Sequence, residues 1–221
     1  MCRLLLVHAP DGFDPTGLFL SFLEICRKSR SVDGESQRDG WGIAWLRPEN
    51  TWAAHKSLRP IWEDAATLTD APRSRAYAIH ARSASFVKDR REITHNQPYV
   101  NGDTVFTFNG LLRGVKMQRP IAGDIGAQRI WNLVLSEMAI HTTADALTSA
   151  VDTLTVSARE MLACNIGLID RSRLYAVCRY SRAPDYYQLR YHASSDLRIV
   201  CSEPLAGYAF QDVPRDGVMV L

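Results

Sequence analysis

No CxxC pair occurs in this 221-residue chain, and its five cysteines, Cys2, Cys26, Cys164, Cys178 and Cys201, form an odd, scattered set. That spacing excludes the usual zinc frameworks and argues against a disulfide scaffold. The last four read as small buried hydrophobes of a reducing compartment. No block of Lys or Arg forms a stripe, and the net charge is only +2, so there is no electrostatic footprint for nucleic acid or for a membrane surface. No apolar run approaches a membrane span. The apolar run at 4–7 is too short for a signal peptide and is closed at once by His8, Ala9, Pro10 and Asp11. Repeats and low-complexity segments are also missing. The expectation is a cytoplasmic protein. What the chain does have is apolar residues, 46% of the total, enough for a single domain over 1–221 with a substantial core.

Periodicity divides the chain into strands, then helices, then strands again. Residues 4–7 predict a strand, and Pro10, Asp11 and Gly12 a turn. Leu18, Phe19, Phe22, Leu23 and Cys26 have helical spacing, with Asp14 or Thr16 as N-cap. Residues 29–40 predict a loop, and 41–46 and 52–55 two strands around a turn. A short helix is expected over 62–68 and an apolar strand over 76–81. The polar stretch 83–98 is long for a connection, which points to an active-site loop. Residues 104–108 alternate like a strand. Two helices are expected over 125–140 and 144–162. Five strands follow, at 165–170, 173–180, 186–192, 198–201 and 218–220. Strands and helices that come in blocks argue against a doubly wound parallel sheet. They suit an α+β protein with antiparallel sheets and helices packed on them.

Cys2 is the first candidate for chemistry. Removal of Met1, which a small second residue permits, makes Cys2 the terminal residue. A thiol nucleophile then carries an α-amine that titrates near ~8 as a tethered general base. On position alone, an ordinary small residue at a strand start is the simpler reading. Arg82 follows His80 and Ala81 at the end of an apolar strand, well placed to grip a carboxylate, although most such arginines simply face water. Asn109 and Gly110 end another strand. An Asn amide and a Gly N–H make an oxyanion hole, but Asn-Gly is equally the favoured pair for a hairpin turn. Asp39, Gly40, Trp41 and Gly42 read alone as a turn and a core Trp. Thr94, His95, Asn96, Gln97, Pro98 and Tyr99 read alone as a polar loop.

The order of these features is more specific than any one of them. Cys2, then Asp39-Gly40-Trp41-Gly42, His80-Ala81-Arg82, the 94–99 loop, Phe108-Asn109-Gly110 and Ser202-Glu203-Pro204-Leu205 together resemble the glutaminase domain of class II glutamine amidotransferases. That family belongs to the N-terminal-nucleophile (Ntn) hydrolases, and the likeness is to its short single-domain members. The resemblance implies a four-layer αββα sandwich of two antiparallel sheets. It implies hydrolysis of the glutamine side-chain amide to glutamate and ammonia through a thioester on Cys2. Asn109 and Gly110 would hold the oxyanion, and Arg82 the α-carboxylate, with His80 in the substrate-binding set. No cofactor or metal is implied, and any ammonia acceptor would be a synthase on a partner protein.

Two departures accompany the likeness. Family members carry a Thr-Asp-Ser-Glu run whose Asp binds the substrate α-amino group. Aligning Gln128 with its Glu puts Gly126 in the Asp position, and Asp124, two residues earlier, is the nearest carboxylate. Phe108 stands where a His is usual. Three readings follow: a glutaminase, an amidohydrolase acting on a γ-glutamyl or other amide, and a non-catalytic binding module on the same fold.

Overall fold

The computed structural model describes residues 2–28, 36–84, 86, 89–171 and 173–221. Met1 and parts of the loops expected at 29–40 and 83–98 lie outside the described residues. The first half of the chain runs β1 (Arg3–Phe13), α1 (Thr16–Arg27), β2 (Trp41–Leu46), β3 (Trp52–Ser57), a 3₁₀ turn (Ile61–Glu63), α2 (Ala65–Thr69) and β4 (Ser74–Ala81). After a second 3₁₀ turn (Ile93–His95) come β5 (Tyr99–Asn101), β6 (Thr104–Arg113), α3 (Gly126–Met138) and α4 (Thr143–Ser157). The chain ends with β7 (Glu160–Asp170), β8 (Arg173–Tyr180), the short α5 (Pro184–Tyr187), β9 (Arg190–Ala193), β10 (Arg198–Cys201), β11 (Gln211–Asp212) and β12 (Met219–Val220).

Among the described residues the strands form two sheets, ordered β11-β9-β10-β1-β4-β2-β3 and β12-β8-β7-β6-β5, with antiparallel pairing throughout. Alternation along β1 shows how they stack. Its odd residues Leu5 and Val7 pack with Leu18, Phe19 and Phe22 of α1. Its even residues Leu4 and Leu6 pack with Val105, Ile169, Leu174 and Ala176 of the other sheet. The far face of that second sheet, through Phe106, Ile166 and Leu168, is covered by Ile130, Trp131 and Val134 of α3 and Leu147 and Val151 of α4. Helix, sheet, sheet, helix is therefore the layer order, as the α+β αββα expectation has it. Both faces of β1 are buried, which is why 4–7 carries no polar alternation.

Four local expectations are corrected. β1 does not turn at Pro10 but continues to Phe13, with a register shift between His8 and Phe13 where it pairs β4. The helix expected to reach residue 162 stops at Ser157, and Met161 and Leu162 belong to β7. A strand expected from Tyr186 is a helical turn up to Tyr187, opened by Pro184 at its first position, where the missing N–H costs nothing. The strand expected at 104–108 does not end at Asn109-Gly110 either: both lie inside β6, opposite Asn165 and Cys164 of β7, so the alternative of a hairpin turn there fails. Pairing with β7 overrides the local turn preference.

Candidate active site

Cys2 sits where β1 begins, half-buried at one end of the seam between the sheets. Several contacts hold that strand end in place. Leu4 N–H donates to Ser202 Oγ at 2.9 Å, and Ser202 N–H donates to the Leu4 carbonyl at 3.0 Å. Next to Cys2, the wholly buried Arg3 pairs with buried Glu203 and lies 4.0 Å over the Tyr186 ring. The late Ser202-Glu203 pair thus serves the first residues of the chain. It fixes the start of β1 with a charge-assisted contact that only a rigid surrounding can compensate.

Cys2 meets Asn109 directly. Its backbone N donates to Asn109 Oδ1 at 3.2 Å, and its Sγ lies 3.7 Å from the Ser83 carbonyl. Asn109 is 2% exposed, and its Nδ2 has no hydrogen-bond partner among the described residues. Buried amide donors are nearly always matched, so an unmatched one beside a thiol demands a reason.

Gly110 supplies a second donor by strand parity. In an antiparallel strand the N–H and C=O of one residue point to the same edge, and edges alternate from residue to residue. Phe108 directs both groups away from β7, because Phe108 N–H donates to Gln97 Oε1 at 2.5 Å and its carbonyl accepts from Gln97 Nε2 at 3.2 Å. Gly110, two residues on, directs its N–H to the same edge, past the point where β5 begins at Tyr99. Nothing larger than Gly fits there, since a Cβ would come 2.2 Å from the Ala163 carbonyl oxygen.

Arg82 follows β4 and is 5% exposed. Its Nη1 donates to Asn96 Oδ1 at 3.2 Å and its Nη2 to the Asp89 carbonyl at 2.7 Å. Its backbone is clasped by the segment before β2: Arg82 N–H donates to the Gly40 carbonyl at 2.8 Å and Asp39 N–H to the Arg82 carbonyl at 3.0 Å. Asp39 Oδ2 then accepts from Ala84 N–H at 2.8 Å. The Asp39–Gly42 run is therefore a brace for the residues after β4. Gly42 lets the 95–98 segment lie against β2, for a Cβ there would be 2.4 Å from the Gln97 carbonyl oxygen.

His80 faces the seam opposite Leu4 and Gly42 and is 1% exposed. Burial, reinforced by the Arg82 charge, pushes its pKa down to about 3. The Phe108 backbone offsets a little of this, but neither ring nitrogen makes a hydrogen bond of good geometry. His80 is thus a neutral imidazole at working pH.

Cys2, His80, Arg82, Gly110, Asp124 and Gly126 line one cavity of about 1080 Å³, while the buried Asn109 lies behind that lining, against Cys2. Its outer wall is the stretch before α3 and the first turn of that helix. Asp124 is exposed there, and Gly126 is the first residue of α3. Gln128 fixes this turn: its Oε1 accepts from Asp124 N–H at 2.7 Å and its Nε2 donates to the Thr94 carbonyl at 3.3 Å. A Cβ at Gly126 would meet nothing within 4 Å, so space is not what excludes a side chain. Gln97, His95 and Ser83 also line this cavity but carried no individual role in the sequence. They are polar residues in a polar loop, and only the fold brings them here. Among the described residues no group of three or more His, Cys, Asp or Glu side chains converges on a metal position. No helix is long and apolar enough to cross a membrane.

No protein-family model and no curated relative matches the sequence. Solved structures do match in fold. A glutamine aminotransferase class-II domain protein from Silicibacter pomeroyi superposes with a TM-score of 0.65 at 16% identity, over 99% of this chain and 94% of that one. A glutamine phosphoribosylpyrophosphate amidotransferase from B. subtilis gives a TM-score of 0.71 at 13% identity over 99% of this chain. This chain spans 47% of that larger protein. A protein from Pseudomonas aeruginosa described as a predicted glutamine amidotransferase gives 0.52 at 17% identity, over 95% and 94% of the two chains. At these identities the likeness establishes a shared fold, that of class II glutamine amidotransferase domains.

Proposed function

We propose that this chain is a cysteine-dependent amidohydrolase of the glutaminase type. The observation that carries the reading is Asn109: its Oδ1 holds the Cys2 nitrogen while its Nδ2 is a buried donor with no partner among the described residues. In this reading the Cys2 thiolate attacks the carbon of a primary carboxamide. The developing oxyanion is met by Asn109 Nδ2 and Gly110 N–H, and the α-amine of a Cys2 freed of Met1 receives the thiol proton. Collapse breaks the C–N bond, ammonia leaves with that proton, and water then releases the acid from the thioester. Arg82, preset by Asn96 and Asp89, faces the substrate carboxylate. The ammonia would pass to a synthase on a partner protein.

Intact-mass measurement before and after treatment with a diazo-ketone analogue of glutamine tests this. The expected result is a chain without Met1 that gains one adduct on Cys2, and none in Cys2→Ala. Active protein that keeps Met1 would remove the amine from the mechanism. Absence of any adduct would favour the binding-module reading.

A second reading, hydrolysis of a different amide, is favoured by Gly126, which offers no carboxylate to a substrate ammonium although the space is open. Gly126→Asp is expected to lower KM for glutamine about tenfold, the worth of one charge-assisted contact. An unchanged KM, with native protein already saturated at low glutamine, would reject this second reading.

A further inference from the structure

The seam between the sheets opens at both ends. Cys2 marks one. His8, six residues further along β1 and therefore about 20 Å away, marks the other. A separate cavity of about 560 Å³ lies there, bordered by His8, Asn50, Arg75, Asp103, Arg171 and Arg198. That size falls within the ~300–1000 Å³ usual for small-molecule sites.

Its charge is one-sided. Three guanidinium groups face one carboxylate, and Asp103 already pairs with Arg171 at 3.5 Å. The other two arginines have neutral partners: Arg75 Nη2 donates to Asn50 Oδ1, and Arg198 Nη1 contacts His8 Nδ1 at 3.2 Å. His8 is 6% exposed, and burial with the charges of Arg198 and Arg75 lowers its pKa. A neutral His8 that accepts at Nδ1 carries its proton on Nε2, a donor left for a ligand. Arg171 adopts a left-handed backbone, φ 55°, where Gly would be easier, and so places a guanidinium rather than a hydrogen atom on the rim. Leu46 and Pro10 complete the lining with apolar surface.

We propose that this second mouth of the seam binds a small organic phosphate. Its phosphate group is held by Arg75, Arg198 and His8 Nε2–H, and its organic part lies over Leu46 and Pro10. The donors stand on three neighbouring strands of one sheet, β10, β1 and β4, rather than on a single side chain. That arrangement suits the tetrahedral array of phosphate oxygens better than the planar fork of a single carboxylate.

Isothermal titration of the full chain at low salt with inorganic phosphate and with phenyl phosphate tests the site. One saturable site is expected for each, with phenyl phosphate about tenfold tighter through its apolar part. Arg198→Gln and Arg75→Gln are each expected to weaken both by about tenfold or more, while turnover of the amide substrate without phosphate stays unchanged. Should Arg198→Gln fail to fold by circular dichroism, Arg75→Gln, at an exposed position, decides alone. No saturable heat up to about 10 mM, far weaker than ordinary phosphate sites, overturns the proposal. So does undiminished binding in a folded variant. Equal affinity for the two probes overturns the assignment of an organic ligand.

Discussion

Replacing Asn109 separates activity from stability in a way that few buried polar substitutions do. In Asn109→Ala the catalytic loss is that of one oxyanion donor, about 100- to 1000-fold in kcat. The stability change combines two opposing effects. The bond from Cys2 N to Asn109 Oδ1 disappears, at a cost of about 1 kcal/mol. The buried Nδ2, unmatched in the fold, also disappears, which relieves about 1–3 kcal/mol. The net of these two runs from about zero to about 2 kcal/mol of stabilisation, so Tm is expected to stay level or rise by no more than about 4–8 °C for a chain of this length. Asn109→Asp sharpens the comparison. It keeps an acceptor for the Cys2 nitrogen but puts an acceptor, and a negative charge, where the oxyanion needs a donor. Its activity is expected to fall at least as far as that of Asn109→Ala. The assay is ammonia release coupled to a reporter enzyme, run beside thermal denaturation. An Asn109→Ala protein with kcat within about threefold of native would refute the oxyanion role, since it is far less than a donor's usual worth. A large fall in Tm that accounts for the lost activity would show a structural Asn instead.

Gly42→Ala is expected to destabilise the fold by about 1–3 kcal/mol, because its methyl would overlap the Gln97 carbonyl and displace the segment that holds Arg82 and Phe108. Chemical denaturation measures this, and an unchanged midpoint would show that the segment is free to move. His80 makes a pH prediction. Its folded pKa, about 3, is below the unfolded value of 6.5, so the unfolded chain binds the extra proton between these values. Stability should therefore be unaffected by His80 above pH 6.5. It should fall by up to about 1.4 kcal/mol per pH unit as pH drops from 6.5 towards 3. In His80→Gln that slope should shrink by one proton, as read from denaturation midpoints across pH, and an identical slope would mean that His80 titrates normally.

Much of this architecture is legible in the residues because apolar spacing is a direct record of burial. Leu18, Phe19, Phe22 and Cys26 mark the buried face of α1, and Ile130 and Val134 that of α3. Boundaries were legible only where a breaker stood. Nothing between Leu154 and Leu162 stops a helical pattern, yet pairing with β6 claims Glu160 onward for a strand. Asn109 and Gly110 show the same limit at the site itself. A local pair with a strong turn preference is overridden by ten residues of β6 lying along β7. Cys2 and Arg82 each have a bland use when taken singly, and only the order of the motifs along the chain singles them out. The role of Gln97 was not legible, since a glutamine in a polar loop gives no hint that both its amide atoms will face Phe108.

That glutamine has a wider consequence. An unfinished sheet edge is ordinarily a hazard, since bare N–H and C=O groups recruit strands from other chains. β5 leaves such an edge because it begins only at Tyr99, and Gln97 closes the next position with a side-chain amide that imitates one peptide unit. Beyond it, Gly110, Leu111 and Leu112 line the cavity, and the segment leading into α3 roofs them over. The edge is thus closed by a side chain where the pairing with β5 stops and by the cavity wall beyond it, which leaves no run of bare peptide groups long enough to pair with a strand from another chain.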